Sequence, residues 1–500
     1  MSQPANRSSD EPGENSLAEF LTGSPASAQD EILYWKDGSC TLAELTASAR
    51  QLAEELRRCG VGPQEPVACV VSRGAEAVAA WFAVWLAGAV YIPVNGRLPD
   101  PEIHALLAES APAAVIAGSA DTDRIPRGLS RTLREPGGTW TVQRGEPWTG
   151  ERFAPGDALV MHTSGTTGRP KPVVLSHAGV RDGIDTVLGK LRRGPRRTAP
   201  MPNLIPTSMA LWAGMWNTLF AFRIGAPVIL LDRFDTRDYA LMVKRFGIRS
   251  TVLAPAMMTM LTEDPEITDL GPLTYVRSIT APLTPAQAHR FHERFGVSVL
   301  NSYGQTELGS EVVGWTAADL REHGVAKLGS VGHPHPGVSI RILDGDYHEQ
   351  AENVVGEIYI RSPFAAQVRD RLVDGYLRTG DLGRVDADGF LWIEGRVSDV
   401  INRGGLKVIP QEVEEALRQL PGVADACVGG VPDDRLGEMP VAWVRRAPGT
   451  SADPGKLRAA LRERIAAYKI PVDIRFVDSF PTSEIGKVLR HKLISSYAAS

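Results

Sequence analysis

Cysteine is scarce: the 500 residues contain four, Cys40, Cys59, Cys69 and Cys427. They are too few and too scattered for a disulfide framework, and no CxxC spacing suggests zinc. A reducing, cytoplasmic setting is the expectation. Basic excess is lacking too, since 54 Lys and Arg face 59 Asp and Glu for a net charge of −5. That balance excludes the electrostatic footprint of a general nucleic-acid binder. Two uncharged runs, 77–94 and 204–222, approach membrane length. The first carries Gly88 and Pro93, the second Pro206, Thr207, Ser208 and Asn217, so both read as buried core and no membrane span is expected. The first thirty residues lack the basic-then-apolar order of a secretory leader and are rich in Ser, Pro, Glu and Ala; 1–30 reads as a mobile tail.

What remains is an ordinary globular composition, 43% apolar and 23% charged, in a chain long enough for two or more folding units. Apolar β-rich runs alternate with helical patterns, as in 67–71 followed by 76–86, and 250–253 followed by 257–261. That order predicts an α/β fold with parallel-rich sheets and helical crossovers. Between about 329 and 393 short strands separated by Gly, Asp and Pro turns predict a β-rich subdomain. From about 401 the alternation resumes, predicting a small α+β domain. No internal repeat is evident.

The densest local signal is a strand running from Ala158 into Thr163-Ser164-Gly165-Thr166-Thr167-Gly168-Arg169-Pro170-Lys171. Glycines let backbone N–H groups approach oxyanions, hydroxyls add donors, and lysine adds a mobile charge, so the loop suits phosphates. It is not a Walker A loop, because GxxxxGK[ST] does not occur.

With four further stretches in the same order, the chain resembles the ANL superfamily of adenylate-forming enzymes. They are Tyr303-Gly-Gln-Thr306-Glu307; Tyr376-Leu-Arg-Thr379-Gly380-Asp381; Gly395-Arg396-Val-Ser-Asp399 through Gly404-Gly405 to Glu414; and Pro481 to Lys487. The resemblance implies ATP, Mg²⁺ and coenzyme A as cofactors, with carrier-protein phosphopantetheine as the alternative to coenzyme A. It implies that Thr163 to Lys171 hold the β and γ phosphates, that Thr306 contacts the α-phosphate, and that Glu307 holds Mg²⁺. Tyr303, Thr280 and Ala281 lie near adenine, and Asp381 and Arg396 bind ribose. Lys487 bridges the substrate carboxylate and the α-phosphate. Asp399 is the hinge between an N-terminal domain, 31–398, and a mobile C-terminal lid, 399–500. Gly404 and Gly405 admit the pantetheine arm after the lid rotates, and no cysteine nucleophile is needed.

The chemistry fits these residues. Attack of a carboxylate on a triphosphate brings anions together, so catalysis consists of positioning and of donors aimed at developing charge. Departures from the family pattern bear on the substrate. Lys171 is followed by Pro172, which lacks an N–H near the phosphates; Thr280 replaces a glycine; Ile485 replaces Ser or Thr. Ser208 and Met209 stand where an aromatic-His gate is usual. Trp212 takes the place of an aspartate that binds an α-ammonium group, which argues against an α-amino acid. With Trp216 it would shorten or flatten the acyl pocket, favouring a small or aromatic acid over a long fatty one. The expected partner is thus a small-molecule carboxylic acid, with a separate acyl carrier protein as the alternative acceptor. Two more alternatives stay open: an AMP-forming ligase using another nucleophile or oxyanion, as nitrite-activating diazotases do, and a non-enzymatic adenylate binder. The oligomeric state is not legible.

Overall fold

Each of the two apolar runs, 77–94 and 204–222, divides into helix and strand. The first becomes the helix Gly74–Leu86, eleven of whose residues are buried, and the strand Val90–Asn95. The second becomes the strand Asn203–Ile205 and the helix Trp212–Arg223. Among the described residues, no helix is long and apolar enough to cross a membrane. The computed structural model describes residues 16–71, 74–118, 121–134, 140–164, 170–191, 200–231, 233–366, 371–482 and 488–498.

A seven-stranded sheet runs in the order Trp140–Gln143, Arg131–Arg134, Ala114–Ala117, Pro66–Val71, Val90–Asn95, Asp157–Ser164, Pro170–Ser176. Its middle is parallel, as near-continuous Val, Ile and Ala runs predict for strands covered on both faces. Its last pair is an antiparallel hairpin in which Thr163 faces Lys171 and His162 faces Pro172. Pro170 and Pro172 are two apart on the outer strand, so their missing N–H groups share one side, as an edge strand allows. Pro172 thus lies on the edge strand, one residue beyond Lys171. A second, four-stranded sheet joins Glu31–Trp35 and Gly38–Thr41 to Val228–Leu230 and Asn203–Ile205, and a three-stranded parallel sheet follows over 250–300.

The expected β-rich region is present as an antiparallel sheet of Ser339–Leu343, Gly356–Arg361, Leu372–Val373, Tyr376–Val385 and Leu391–Arg396. The C-terminal unit is a five-stranded sheet centred on Gly437–Arg446 with the helices Pro410–Arg418, Pro454–Arg462 and Arg490–Ala498. It has its own core around Val413, Leu417, Val428 and Val444.

The start of the chain corrects the tail expected over 1–30. Leu17, Phe20 and Leu21 are buried in the main core, and Glu19–Thr22 is a short helix. Leu17, Phe20 and Leu21 join the main hydrophobic cluster despite the polar composition around them. Residues 1–15 lie outside the described residues.

Candidate active site

Two neighbouring structures build the site. The strand Ser302–Gly304 and the turn Thr306–Leu308 carry Tyr303, Gln305, Thr306 and Glu307. The strand Tyr376–Val385 carries Thr379 and Asp381. Asp381 lies directly opposite Arg396 in the antiparallel register with Leu391–Arg396, so the pairing brings guanidinium and carboxylate together.

Asp381 is buried, at 4% exposure, yet its charge is well supplied. Arg396 Nε lies 2.9 Å from Oδ1. The Tyr303 hydroxyl and the Gln305 amide each donate to Oδ2 at 2.6 Å. Asp381 N–H donates to Thr379 Oγ1, whose own hydroxyl donates to the Ile358 carbonyl, so the Thr379–Asp381 segment is pinned to the sheet. Burial, followed by the nearby Asp381 charge, holds the Tyr303 phenol well above its ordinary pKa, so it acts as a neutral donor. A carboxylate has about four lone-pair sites. Oδ2 is filled by two protein donors, which leaves one site on Oδ1 beside Arg396.

Glu307 is joined to the same network. Arg371 Nη1 donates to Glu307 Oε1 at 2.7 Å, while the rest of the guanidinium donates to the Arg378 and Thr379 carbonyls. Gln305 donates to the Thr379 carbonyl as well. The sequence alone marks no role for Arg371 or Gln305. Gln305 sits inside the Tyr303–Glu307 stretch and could have been noticed there. Arg371 is 64 residues from its partner and belongs to no legible motif.

Thr163 and Ser164 end the Asp157–Ser164 strand and Lys171 is the second residue of the Pro170–Ser176 strand paired with it, Thr163 opposite Lys171. Gly165, Thr166, Thr167 and Gly168 lie outside the described residues, as do Ile485 and Lys487. Thr280 has φ +71°, and Ala281 N–H donates to the Ile279 carbonyl across it. That is a γ-turn of the rarer positive-φ kind, which suits the glycine expected there far better than a β-branched residue.

Met209 is 4% exposed and its sulfur accepts a hydrogen bond from Thr218 at 3.4 Å. It packs into the main core, the cluster against which Trp212 and Trp216 also rest. Ser208 lies in the turn before the Trp212–Arg223 helix, its hydroxyl capping Ala210 N–H. Trp212 and Trp216 stand one turn apart on that helix, half-buried against the same core, and Trp216 stacks on Phe220.

At the domain junction Asp399 ends the 3₁₀ turn Val397–Asp399 and pairs with Arg490. Arg490 also donates to Glu414 Oε1 at 2.8 Å, and Glu414 accepts from Val428 N–H. Asp399 is thus held by the C-terminal unit. Gly404 and Gly405, at φ +58° and +87°, form a two-residue turn between Ile401–Arg403 and Leu406–Val408. Two successive positive φ values are the requirement of a type I′ hairpin, which by itself accounts for both glycines. None of the four cysteines forms a disulfide, and burial pushes the Cys69 and Cys427 thiols up to about 12, leaving them poor nucleophiles.

The AMP-binding enzyme family matches residues 24–368, and the AMP-binding enzyme C-terminal domain matches 412–487. The chain belongs to the AMP-binding enzyme family. It is 32% identical over 481 residues to the indoleacetate–CoA ligase of Aromatoleum aromaticum, covering 89% of this chain and 91% of that one. It is 29% identical over 480 residues to the fatty acid–[acyl-carrier-protein] ligase ScoC of Streptomyces coeruleorubidus, covering 91% of each. Among solved structures it is similar to ATP-bound MatB from Rhodopseudomonas palustris, at 26% identity, TM-score 0.86 and 97% and 99% coverage. Against apo MatB the TM-score is 0.74 at the same coverage. The chain thus overlays better on the ATP-bound protein than on the apo one.

Proposed function

We propose that the protein activates a carboxylic acid with ATP and transfers the acyl group to the thiol of coenzyme A. One observation carries the reading: within a member of the AMP-binding enzyme family, a buried aspartate held by Tyr303, Gln305 and Arg396 is joined through Arg371 to Glu307. A single prearranged network thus presents a ribose acceptor and a metal carboxylate.

In the first step a carboxylate oxygen attacks the α-phosphorus, the bond to the bridging oxygen breaks, and pyrophosphate leaves with the electron pair. The product is an acyl-adenylate. In the second, the acceptor sulfur attacks the acyl carbon, its proton goes to solvent, and AMP departs. Asp381 and Arg396 orient the ribose, Tyr303 borders adenine, Thr306 donates to the α-phosphate, and the segment 163–171 receives the β and γ phosphates. Lys487 bridges the two reacting anions. Prearranged donors need little reorganisation when charge develops, which is the main source of rate in such a reaction. Glu307 offers a hard oxygen in a largely buried setting and fits Mg²⁺. When bound, Mg²⁺ would neutralise triphosphate charge. Rotation about Asp399 withdraws Lys487 and brings in the thiol arm.

The acid is small or aromatic. Trp212 and Trp216 support this, as does the similarity to an indoleacetate-activating ligase. Similarity to ScoC favours a second acceptor, the phosphopantetheine of a separate carrier protein. A cytoplasmic setting suits four cysteines without a disulfide.

The test is pyrophosphate release with ATP and Mg²⁺ across short, aromatic, fatty and amino acids, with and without coenzyme A. Release selective for small or aromatic acids, with a CoA thioester, is expected. Folded, ATP-binding protein that releases nothing with any acid would refute the reading and turn attention to nitrite with aryl amines. Release without thioester would reassign the acceptor.

A further inference from the structure

The Glu307 carboxylate is already engaged by the protein's own cation. Arg371 Nη1 donates to Oε1 at 2.7 Å. The guanidinium has no freedom to follow Glu307 elsewhere, because Nε and Nη2 donate to the Arg378 carbonyl at 3.2 and 2.8 Å and Nη2 donates to the Thr379 carbonyl at 3.1 Å. A planar fork held at three points fixes the fourth bond in direction. The pair is largely withdrawn from water, with side-chain exposures of 29% and 13%, so screening is incomplete.

Resting on the reading of Glu307 as a ligand of the nucleotide's metal, we propose that Arg371 is a positioning residue that reserves Oε1 of Glu307 and makes it a one-oxygen metal ligand.

Two consequences follow from the geometry. The resident positive charge opposes the incoming cation, so metal binding is weaker than the carboxylate alone would give. In return, the remaining oxygen is held in a fixed direction relative to Asp381, since Arg371 and Gln305 share the Thr379 carbonyl and Gln305 also donates to Asp381. Arg371 thus gives up metal affinity for orientation. A residue that merely tied down the Leu372–Val373 and Tyr376–Val385 pair would do neither.

The experiment uses Mn²⁺ as the probe, its free concentration read by electron paramagnetic resonance, with full-length protein and an ATP analogue that cannot be cleaved between the α and β phosphates. Wild type, Arg371→Gln, Arg371→Lys, Glu307→Gln and the Arg371→Gln/Glu307→Gln double variant are compared, each checked for native melting. Glu307→Gln should weaken Mn²⁺ binding about tenfold or more. Arg371→Gln should tighten it roughly three- to tenfold while lowering kcat for pyrophosphate release. Arg371→Lys, which keeps the charge and loses the fork, should restore wild-type Mn²⁺ affinity without restoring kcat. In the double variant the tightening should vanish. Mn²⁺ affinity unchanged in Arg371→Gln, or changed equally with and without Glu307, would overturn the proposal. If Glu307→Gln itself leaves Mn²⁺ binding unchanged, Glu307 is not the metal ligand and the underlying reading fails instead. Should Arg371→Gln not fold, the Arg371→Lys comparison decides: wild-type kcat there would overturn the proposal.

Discussion

Asp381→Asn is the most informative substitution, because the structure fixes how the amide must sit. The amide NH₂ cannot face Tyr303 and Gln305, which both donate at 2.6 Å, so its oxygen takes the Oδ2 position. The NH₂ then meets a single donor, Arg396 Nε–H, which must turn away, and the one acceptor site still open on Oδ1 is lost. Folding loses an ion pair whose arginine is 43% exposed and therefore screened, about 1 kcal/mol. Weakening of the two Oδ2 bonds brings the total to roughly 1–3 kcal/mol. Nucleotide binding loses more specifically: one charge-assisted bond to a ribose hydroxyl, about 1.5–3 kcal/mol, or roughly ten- to a hundredfold in KM for ATP. The assay is steady-state pyrophosphate release with ATP, 2′-deoxy-ATP and 3′-deoxy-ATP. Wild type should discriminate against at least one deoxynucleotide, and Asp381→Asn should treat that one and ATP alike. A variant that keeps the wild-type discrimination would show that Asp381 does not read the ribose.

Thr280→Gly should stabilise the protein by about 1 kcal/mol, since glycine accepts the φ of +71° without strain; a lower denaturant midpoint would contradict this. His177 accepts a hydrogen bond from Leu17 N–H, and burial, with a smaller contribution from Arg181, lowers its pKa from 6.5 to about 4. The neutral ring is favoured in the fold, so its contribution is complete above pH 6.5 and is lost as pH falls toward 4. Between pH 7.5 and 4.5 wild type should lose about 2–3 kcal/mol more than His177→Gln in denaturant titrations, and equal losses would sink the assignment. Arg490→Ala should destabilise the C-terminal unit by about 1.5–3 kcal/mol, the loss of one charge-assisted bond to buried Glu414, which keeps Arg418 at 3.5 Å and the Val428 N–H, read from denaturation of that unit; a loss under about 1 kcal/mol would show the cluster to be solvated.

Much of this architecture can be read from sequence because its signals are local. The apolar strand 67–71, the helix beginning at Gly74 and the turn-rich region after 329 all lie where periodicity and turn residues put them. Asp381 and Arg396 are legible as motif residues, and a hairpin register brings them opposite each other. What escapes is whatever depends on distant partners. Arg371 and Arg490 are unremarkable arginines until folding places them against Glu307 and Asp399, 64 and 91 residues away. The buried segment at Leu17 to Leu21 is too short to outweigh its polar flanks on composition alone.

Under the proposed function Lys487 serves acid activation, and thiol transfer follows once the lid has moved it away. Single-turnover measurements on wild type and Lys487→Ala test it directly, comparing pyrophosphate release from ATP and acid with thioester formation from a supplied acyl-adenylate and coenzyme A. Lys487→Ala should lose the first by about a hundredfold or more and keep the second within a few fold. Equal loss of both half-reactions, or full retention of the first, would contradict it.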